Sequence, residues 1–246
     1  MALSTTTTAN EILNRVAAEV GIAPVVDPYA SQDPVFIQMQ YLLNTAGEEL
    51  MYAHQWEFLT KTHQILTTDT DTGSYPLPDD FGYMINQTGW ERAENVPLGG
   101  PLSAQDWTYL KGRDLASSTL YASFRIAEGE FKIYPDPPPN GLDINFEYNS
   151  INWVSDGANT PEYKSGVNQG SDTPLYDRTL ISRYVKLKYL EATGFDTTKA
   201  QADFNQIFSF LTGFDKAAGI LNAGSGRRNF PYISVLNAPD TGYGLP

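Results

Sequence analysis

Residues 33–58 read DPVFIQMQYLLNTAGEELMYAHQWEF and change from a helical pattern to a strand pattern within one stretch. Asp33 before Pro34 predicts a helix start, because aspartate can cap the first turn and proline lacks an amide that would be unpaired there. Apolar residues then recur at helical spacing to about His54. From Trp56 the residues alternate and are rich in aromatic side chains, as in a strand. The stretch predicts a helix that leads directly into a β region.

The residues before this stretch predict another helix. Thr8 and Glu11 have the spacing of a capping box, in which the side chains of both residues bond to backbone amides of the first turn. The apolar residues within 12–20 fall on one helical face, and Gly21 ends the pattern. The chain therefore opens with two helices.

The β region extends over residues 56–155, where Gly and Pro separate short runs of aromatic and β-branched residues. A hairpin is predicted over residues 121–134, because two alternating runs meet at the turn residues 127–130. Residues 142–148 alternate again. Ser103 and Asp106 predict one short helix inside this region.

The last third of the chain predicts a return to helices. Residues 156–174 contain several Gly and Pro residues and predict a long loop. Helical periodicity follows over 176–193 and again over 198–222, with Phe214 in the apolar stripe of the second helix. We expect these helices to pair antiparallel and to pack on the first two. The remainder, residues 223–246, predicts an extended arm.

Together these patterns predict an α+β fold. Its parts are a helical bundle body formed by N- and C-terminal helix pairs (1–55 and 175–222), an inserted and mostly antiparallel β domain (56–155), the long loop (156–174) and an extended C-terminal arm (223–246). With 246 residues and 41% hydrophobic content, the chain can bury a core of its own. It contains no cysteine, so disulfides and thiolate metal sites are excluded.

The charge of the chain argues against sequence-specific binding to nucleic acid. The net charge is −13, whereas phosphate binding requires clustered Lys and Arg. The charge is uneven, because residues 176–246 carry 8 basic and 6 acidic side chains. No apolar run approaches the roughly 20 residues of a membrane span, and residues 1–8 lack the pattern of a signal peptide. We expect a soluble, unexported protein, made in the cytoplasm of its host.

The sequence carries no catalytic, cofactor or metal signature. His54 and His63 are the only histidines, and no Ser and Asp with triad spacing accompany them. No phosphate-binding glycine loop occurs. Asp69, Asp71 and Asp80 have calcium-loop spacing, but Ser74 stands where such a loop requires glycine. We therefore expect a protein that is not an enzyme and that binds no cofactor.

Four segments of the sequence resemble segments of phage connector proteins. They are residues 12–24, residues 48–58 with a helix that delivers Trp56 into the β region, residues 75–81 and residues 146–153. With the order of helices and strands, they resemble the head-to-tail adaptor family of short-tailed bacteriophages, also called tail tubular protein A. The resemblance implies a virion protein that forms a ring, a dodecamer, between the portal protein and a tail nozzle or other tail protein. DNA would pass through its lumen without sequence-specific binding.

Two groups of residues are candidates for contacts in such a ring. Apolar and basic residues of the predicted arm would be an aggregation hazard if uncovered, and we expect them to dock on the portal. They are Arg227, Arg228, Phe230, Tyr232, Ile233, Val235 and Leu236. Basic residues of the helix over 176–193 could face carboxylates of a neighbouring subunit. They are Arg178, Arg183, Lys186 and Lys188.

Two other functions remain open from the residues alone. The chain has four Trp and 15 Tyr, many of them in the β region, and exposed aromatic rings could bind sugars. This alternative is a virion protein that binds or degrades carbohydrate. The acidic charge also permits a regulator that mimics DNA. The first alternative requires specific glycan binding, and the second requires a host DNA-binding protein as partner.

Overall fold

The computed structural model describes residues 6–68, 70–93, 96–112, 123–159 and 162–215. Within these residues the helices are α1 (Ala9–Glu19), α2 (Pro34–Ala53), α3 (Ala104–Gly112), α4 (Arg178–Thr193) and α5 (Thr198–Asp215). The strands are β1 (Thr60–Leu66), β2 (Ser74–Pro76), β3 (Phe81–Met84), β4 (Trp90–Glu91), β5 (Val96–Pro97), β6 (Ser123–Ala127), β7 (Glu130–Tyr134), β8 (Asp143–Ser150), β9 (Val154–Ser155), β10 (Tyr163–Lys164) and β11 (Thr173–Pro174). The α+β class predicted from the sequence is confirmed.

The first two helices begin where their capping residues predict. The Asp33 carboxylate accepts a hydrogen bond from the Val35 amide at 2.9 Å, and Pro34 is the first residue of α2. The Thr8 hydroxyl accepts from the Glu11 amide at 3.4 Å, so one half of the predicted capping box is present. Side chains with local hydrogen-bonding capacity thus mark both helix starts, as expected.

Helix α4 begins two residues after its predicted start and ends where predicted, and α5 begins where predicted. Asp177 caps α4 by accepting from the Thr179 amide at 2.7 Å, and Gly194 ends that helix with a left-handed φ of 75°. Asp196 accepts from the Thr198 amide at 3.0 Å where α5 begins. The predicted end of this helix near residue 222 lies outside the described residues.

Strand β8 organises the largest sheet. It pairs antiparallel with β1 along the whole of β1, from Thr60 opposite Asn149 to Leu66 opposite Asp143. Strands β3 and β4 pair with β8 as well, and β5 extends the sheet beyond β4. The predicted hairpin is present as β6 and β7, to which β2 adds a third strand, while β9 pairs with both β10 and β11. All these pairings are antiparallel.

The strand predicted to begin at Trp56 does not begin there. Residues Glu57–Leu59 form a short 3₁₀ helix, and the sheet register starts at Thr60. The physical reason is the Trp56 side chain, whose indole N–H donates to the Leu50 carbonyl at 2.7 Å while its ring is buried among the helices. This bond folds the chain back against the end of α2 before the strand can form.

Buried apolar side chains form two clusters. The first unites α1, α2 and α4 with Trp56, Trp153 and Tyr176, and α5 packs against it with partly buried side chains. The second lies in the sheets and consists of Ile65, Phe124, Phe131, Ile133, Ile144, Phe146 and Tyr148. Strands β1 and β8 lead from one cluster to the other, because β1 follows Leu59 and β8 precedes Trp153 in the sequence.

Candidate assembly surfaces and the anchored loop

The segment predicted as a long loop, residues 156–174, is built around one buried carboxylate. The Asp172 side chain has 0% exposure. Its Oδ1 lies 2.8 Å from Lys164 Nζ and accepts from the Gly157 amide at 3.2 Å. Its Oδ2 accepts from the amides of Asn168 and Gln169 at 2.9 and 3.0 Å. Charged and neutral donors thus surround both oxygens.

These donors determine the ionisation of Asp172. Burial alone would raise the pKa of this carboxyl group, because a buried charge loses its hydration. The Lys164 ammonium group and the backbone amides outweigh burial and lower the pKa below its ordinary value. The charged form of Asp172 therefore belongs to the folded state.

The same segment is fixed to the first two helices. The amides of Ala9 and Asn10 donate to carbonyl oxygens within 170–172, at 2.7 and 3.1 Å. These amides belong to the first turn of α1, which has no partners for them within the helix. The Asn44 side chain on α2 accepts from the Val167 amide at 2.8 Å and donates to its carbonyl at 3.0 Å. The loop therefore has a defined position on the helices.

A second carboxylate joins three parts of the chain where β8 leaves its sheet. Asp80 accepts from Lys61 Nζ at 2.6 Å, from the Ser150 hydroxyl at 2.6 Å and from the Tyr148 hydroxyl at 2.9 Å. Burial raises the pKa of Asp80, but these three donors together lower it by more than burial raises it. The pKa of Asp80 therefore lies below its ordinary value. Asp80 thus ties the connection between β2 and β3 to both β1 and β8.

Two of the four basic residues predicted for a subunit interface make ion pairs within their own chain. Lys186 Nζ lies 3.1 Å from a Glu19 carboxylate oxygen on α1. Lys188 Nζ lies 2.7 Å from Glu49 on α2, which also accepts from the Tyr184 hydroxyl. Burial and the hydrogen bond to Glu49 raise the pKa of Tyr184 to about 12. Both lysines connect α4 to the N-terminal helices.

The two arginines of that group occupy different positions. Arg183 donates from Nη1 to the Asp203 carbonyl at 2.8 Å and so joins α4 to α5. Arg178 lies exposed at the start of α4. Contact of any of these residues with a neighbouring subunit stays a prediction. The arm residues from Arg227 to Leu236 lie outside the described residues.

Large apolar side chains are exposed on the two longest helices. On α2, Tyr41 and Tyr52 are 72% and 75% exposed. On α5, Phe210 and Phe214 are 52% and 71% exposed, and their ring centroids are 4.7 Å apart. The prediction that Phe214 faces the core with the rest of the α5 stripe was wrong, because that stripe turns away from the core toward the end of the helix.

The histidines have structural neighbours. His54 Nε2 lies 3.1 Å from Asp215 Oδ2, and its ring meets the edge of Trp56. The His63 ring contacts Phe146. In the part of the chain that the structure describes, no three His, Asp or Glu side chains are grouped to hold a metal ion. Across the same residues, no helix is long and apolar enough to cross a membrane.

Several of the aromatic side chains that a sugar platform would require lie inside the molecule, whereas Tyr83, Tyr109 and Tyr163 are exposed. Trp56, Trp107 and Trp153 are buried. In the β region, the ring of Phe131 stacks between Phe124 and Phe146, with centroid distances of 4.8 and 5.0 Å. These rings supply core area and are not accessible to a ligand, so they give no support to the carbohydrate alternative.

Comparison with known proteins adds the identity of the family. The family model of the SU10 adaptor protein matches residues 7–233 of the 246-residue chain. A comparison with curated proteins gave no match. The matched range contains every helix and strand described above, which confirms the phage-adaptor part of the resemblance. The chain therefore belongs to the SU10 adaptor protein family, a family of structural phage adaptors that are components of the virion.

Proposed function

We propose that the protein is a head-to-tail connector of the tail tubular protein A kind, from a short-tailed phage. In this proposal twelve copies form a ring that binds the portal protein on one side and a tail nozzle or other tail protein on the other. The observation that carries the proposal is the family match over residues 7–233, which includes both groups of helices and the sheets between them. DNA passes through the lumen of the ring during ejection.

The charge of the chain fits a channel through which DNA moves. A net charge of −13 repels phosphate and disfavours binding that would hold DNA in place. A ring also uses a heterologous interface, in which one face of a subunit contacts a different face of its neighbour. On α4, Arg178 is exposed and is the best placed of the four predicted interface residues to reach a neighbour's carboxylate.

The contact with the portal is assigned to the C-terminal arm. Residues 230–236 read FPYISVL and follow Arg227 and Arg228, a combination of apolar and basic residues that suits an added strand on a partner. A chain truncated after Gly226 should lose binding to the purified portal and keep the circular dichroism spectrum of the whole protein. Portal binding that survives the truncation would contradict this assignment.

The proposed function is tested in the phage itself. Particles produced without this protein should contain heads that have packaged DNA but carry no tail, because the tail lacks its attachment site. Supplying the protein from a plasmid should restore tailed, infectious particles. Complete tailed particles in the absence of the protein would contradict the proposal.

A further inference from the structure

The outer face of α5 is unusually free of charge for an acidic protein. Every exposed residue from Gln201 to Phe214 is uncharged, although the chain as a whole carries a net charge of −13. Four of these residues recur at four-residue spacing and so form a ridge along one side of the helix. They are Ala202, Gln206, Phe210 and Phe214. A surface helix normally presents charged side chains to water, so this face has the composition of a contact surface.

The outer face of α2 has the same character. Tyr41 and Tyr52 are separated by eleven residues, about three helical turns, and therefore lie on the same side of the helix. Ile37 lies on this side one turn before Tyr41, and Thr45 lies on it between the two tyrosines. Both are exposed, and the four residues form a line along α2. Glu48 is the one charged residue among the exposed residues of α2.

We propose that these two faces bind each other between neighbouring copies of this chain: the α5 ridge with Phe210 and Phe214 packs on the α2 line with Tyr41 and Tyr52. The inference rests on the proposed ring, and it names the surfaces that would form the interface. The helix pair would be the centre of a larger contact, because a stable interface buries roughly 800 Å² on each partner.

Charge favours a second copy as the occupant. Two copies that each carry a net charge of −13 repel one another, so they can approach closely only where charge is scarce or complementary. None of the exposed residues of α5 from 201 to 214 is charged, because Asp203 is partly buried and paired with Lys199, and Glu48 is the one carboxylate among the exposed residues of α2. Aromatic residues also contribute most of the binding energy in many protein interfaces.

The need for a closed ring favours the pairing of different faces. If α5 bound α5 of its neighbour, the contact would be isologous and would end at a dimer. Contact between α5 and α2 leaves one α2 face and one α5 face open on each pair, so that further subunits can add until the ring closes.

Two double variants test the pairing by mixing. We expect F210S/F214S and Y41S/Y52S each to weaken self-association at least tenfold, measured by sedimentation velocity, with an unchanged circular dichroism spectrum. An equimolar mixture should form dimers but no rings, because each pair of different variants retains one intact α5–α2 contact. The control L66S/Y83S removes exposed apolar side chains from the sheets and should assemble as the unaltered chain does.

Single cysteines provide a readout that does not depend on weakened assembly. The chain contains no cysteine, so Thr45→Cys and Ser209→Cys each introduce one thiol, on the α2 and α5 faces. A short bismaleimide should join the two proteins when they are mixed, and should join neither protein to itself. Thr62→Cys on β1 is the control and should remain uncoupled with either partner.

The outcomes separate this inference from the proposed ring. Rings formed by the unaltered chain together with normal assembly of either aromatic variant would overturn the α5–α2 pairing and leave the ring in place. Coupling of Ser209→Cys to itself would overturn it in favour of an α5–α5 contact. If the unaltered chain forms no ring with or without the portal, both the proposed function and the pairing fail.

Discussion

Lys164 and Asp172 form an ion pair of 2.8 Å in which the carboxylate is fully buried. The same carboxylate accepts hydrogen bonds from the backbone amides of residues 168–169. Asp172 therefore fixes the conformation of the loop in addition to neutralising Lys164. Because α1 and α2 bond to this loop, the pair lies at the junction of the sequence-distant parts of the helical cluster.

Replacement of the buried carboxylate should destabilise the protein. Asp172→Asn removes the nearer counter-ion of Lys164, leaving the Asp156 carboxylate at 3.7 Å, and points amide hydrogens at backbone donors. Breaking a buried pair in this way costs about 3 kcal/mol of unfolding free energy. Urea denaturation followed by circular dichroism measures the loss. Asp136→Asn, at an exposed carboxylate, is the control and should change the unfolding free energy by less than about 0.5 kcal/mol. Equal stability of the two variants would contradict the role assigned to Asp172.

The contribution of Asp172 should depend on pH with a defined sign. Its pKa is lower in the folded state than the ordinary value near 4 of the unfolded chain, so the charged form stabilises the fold above about pH 4. This stabilisation is lost as pH falls through the lowered pKa. The difference in unfolding free energy between the unaltered chain and Asp172→Asn should be constant above about pH 5 and should shrink below about pH 4. A difference that grows on acidification would contradict the assignment.

Asp80 should hold the end of β8 in place. Asp80→Asn weakens three side-chain bonds at once, and each unsatisfied buried donor costs about 1–3 kcal/mol. Hydrogen exchange should become faster at the Ile151 amide, which donates to the Asp80 carbonyl at 2.9 Å, and should remain unchanged in α1. Asp79→Asn is the matched control, because that neighbouring carboxylate is exposed. Uniform acceleration across the chain would instead indicate global unfolding.

Gly47 should be required where α2 meets the Trp153 ring. A Cβ atom at Gly47 would lie 2.3 Å from the Cη2 atom of that ring, a distance that forces the buried indole to move. Gly47→Ala should cost about 1–3 kcal/mol of unfolding free energy through overpacking. Gly213→Ala is the same change in α5 with no atom near the new Cβ, and should stabilise by about 0.5–1 kcal/mol. Thermal unfolding of dilute protein compares the two, and equal shifts would contradict the packing role.

Local sequence signals predicted most of the helices and the hairpin, because capping residues and turn glycines act over a few residues. Asp33, Thr8 and Gly194 all occupy the ends that their chemistry favours. The strand predicted to begin at Trp56 was wrong for the opposite reason, because contacts with distant residues determine the structure there. Its side chain bonds to a carbonyl six residues earlier and is buried by helices from the far end of the chain, neither of which the alternating pattern reveals.

The anchored loop could not be predicted in detail for the same reason. Asn44 and Val167 are 123 residues apart, and no local pattern connects them. Asp172 was one of many acidic residues in the sequence, and only the fold brings Lys164 and the amides to it. Of the exposed aromatic residues on α2 and α5, Phe214 stood within an apolar pattern that predicted core positions, since periodicity does not show which side of a helix remains uncovered.

Electron microscopy of the purified protein, alone and mixed with the portal of its phage, tests the central claim most directly. The account predicts rings with a central hole, formed by the protein itself or assembled on the portal, with twelve subunits around the axis. Dispersed monomers in both samples, at concentrations at which the chain is folded, would contradict it.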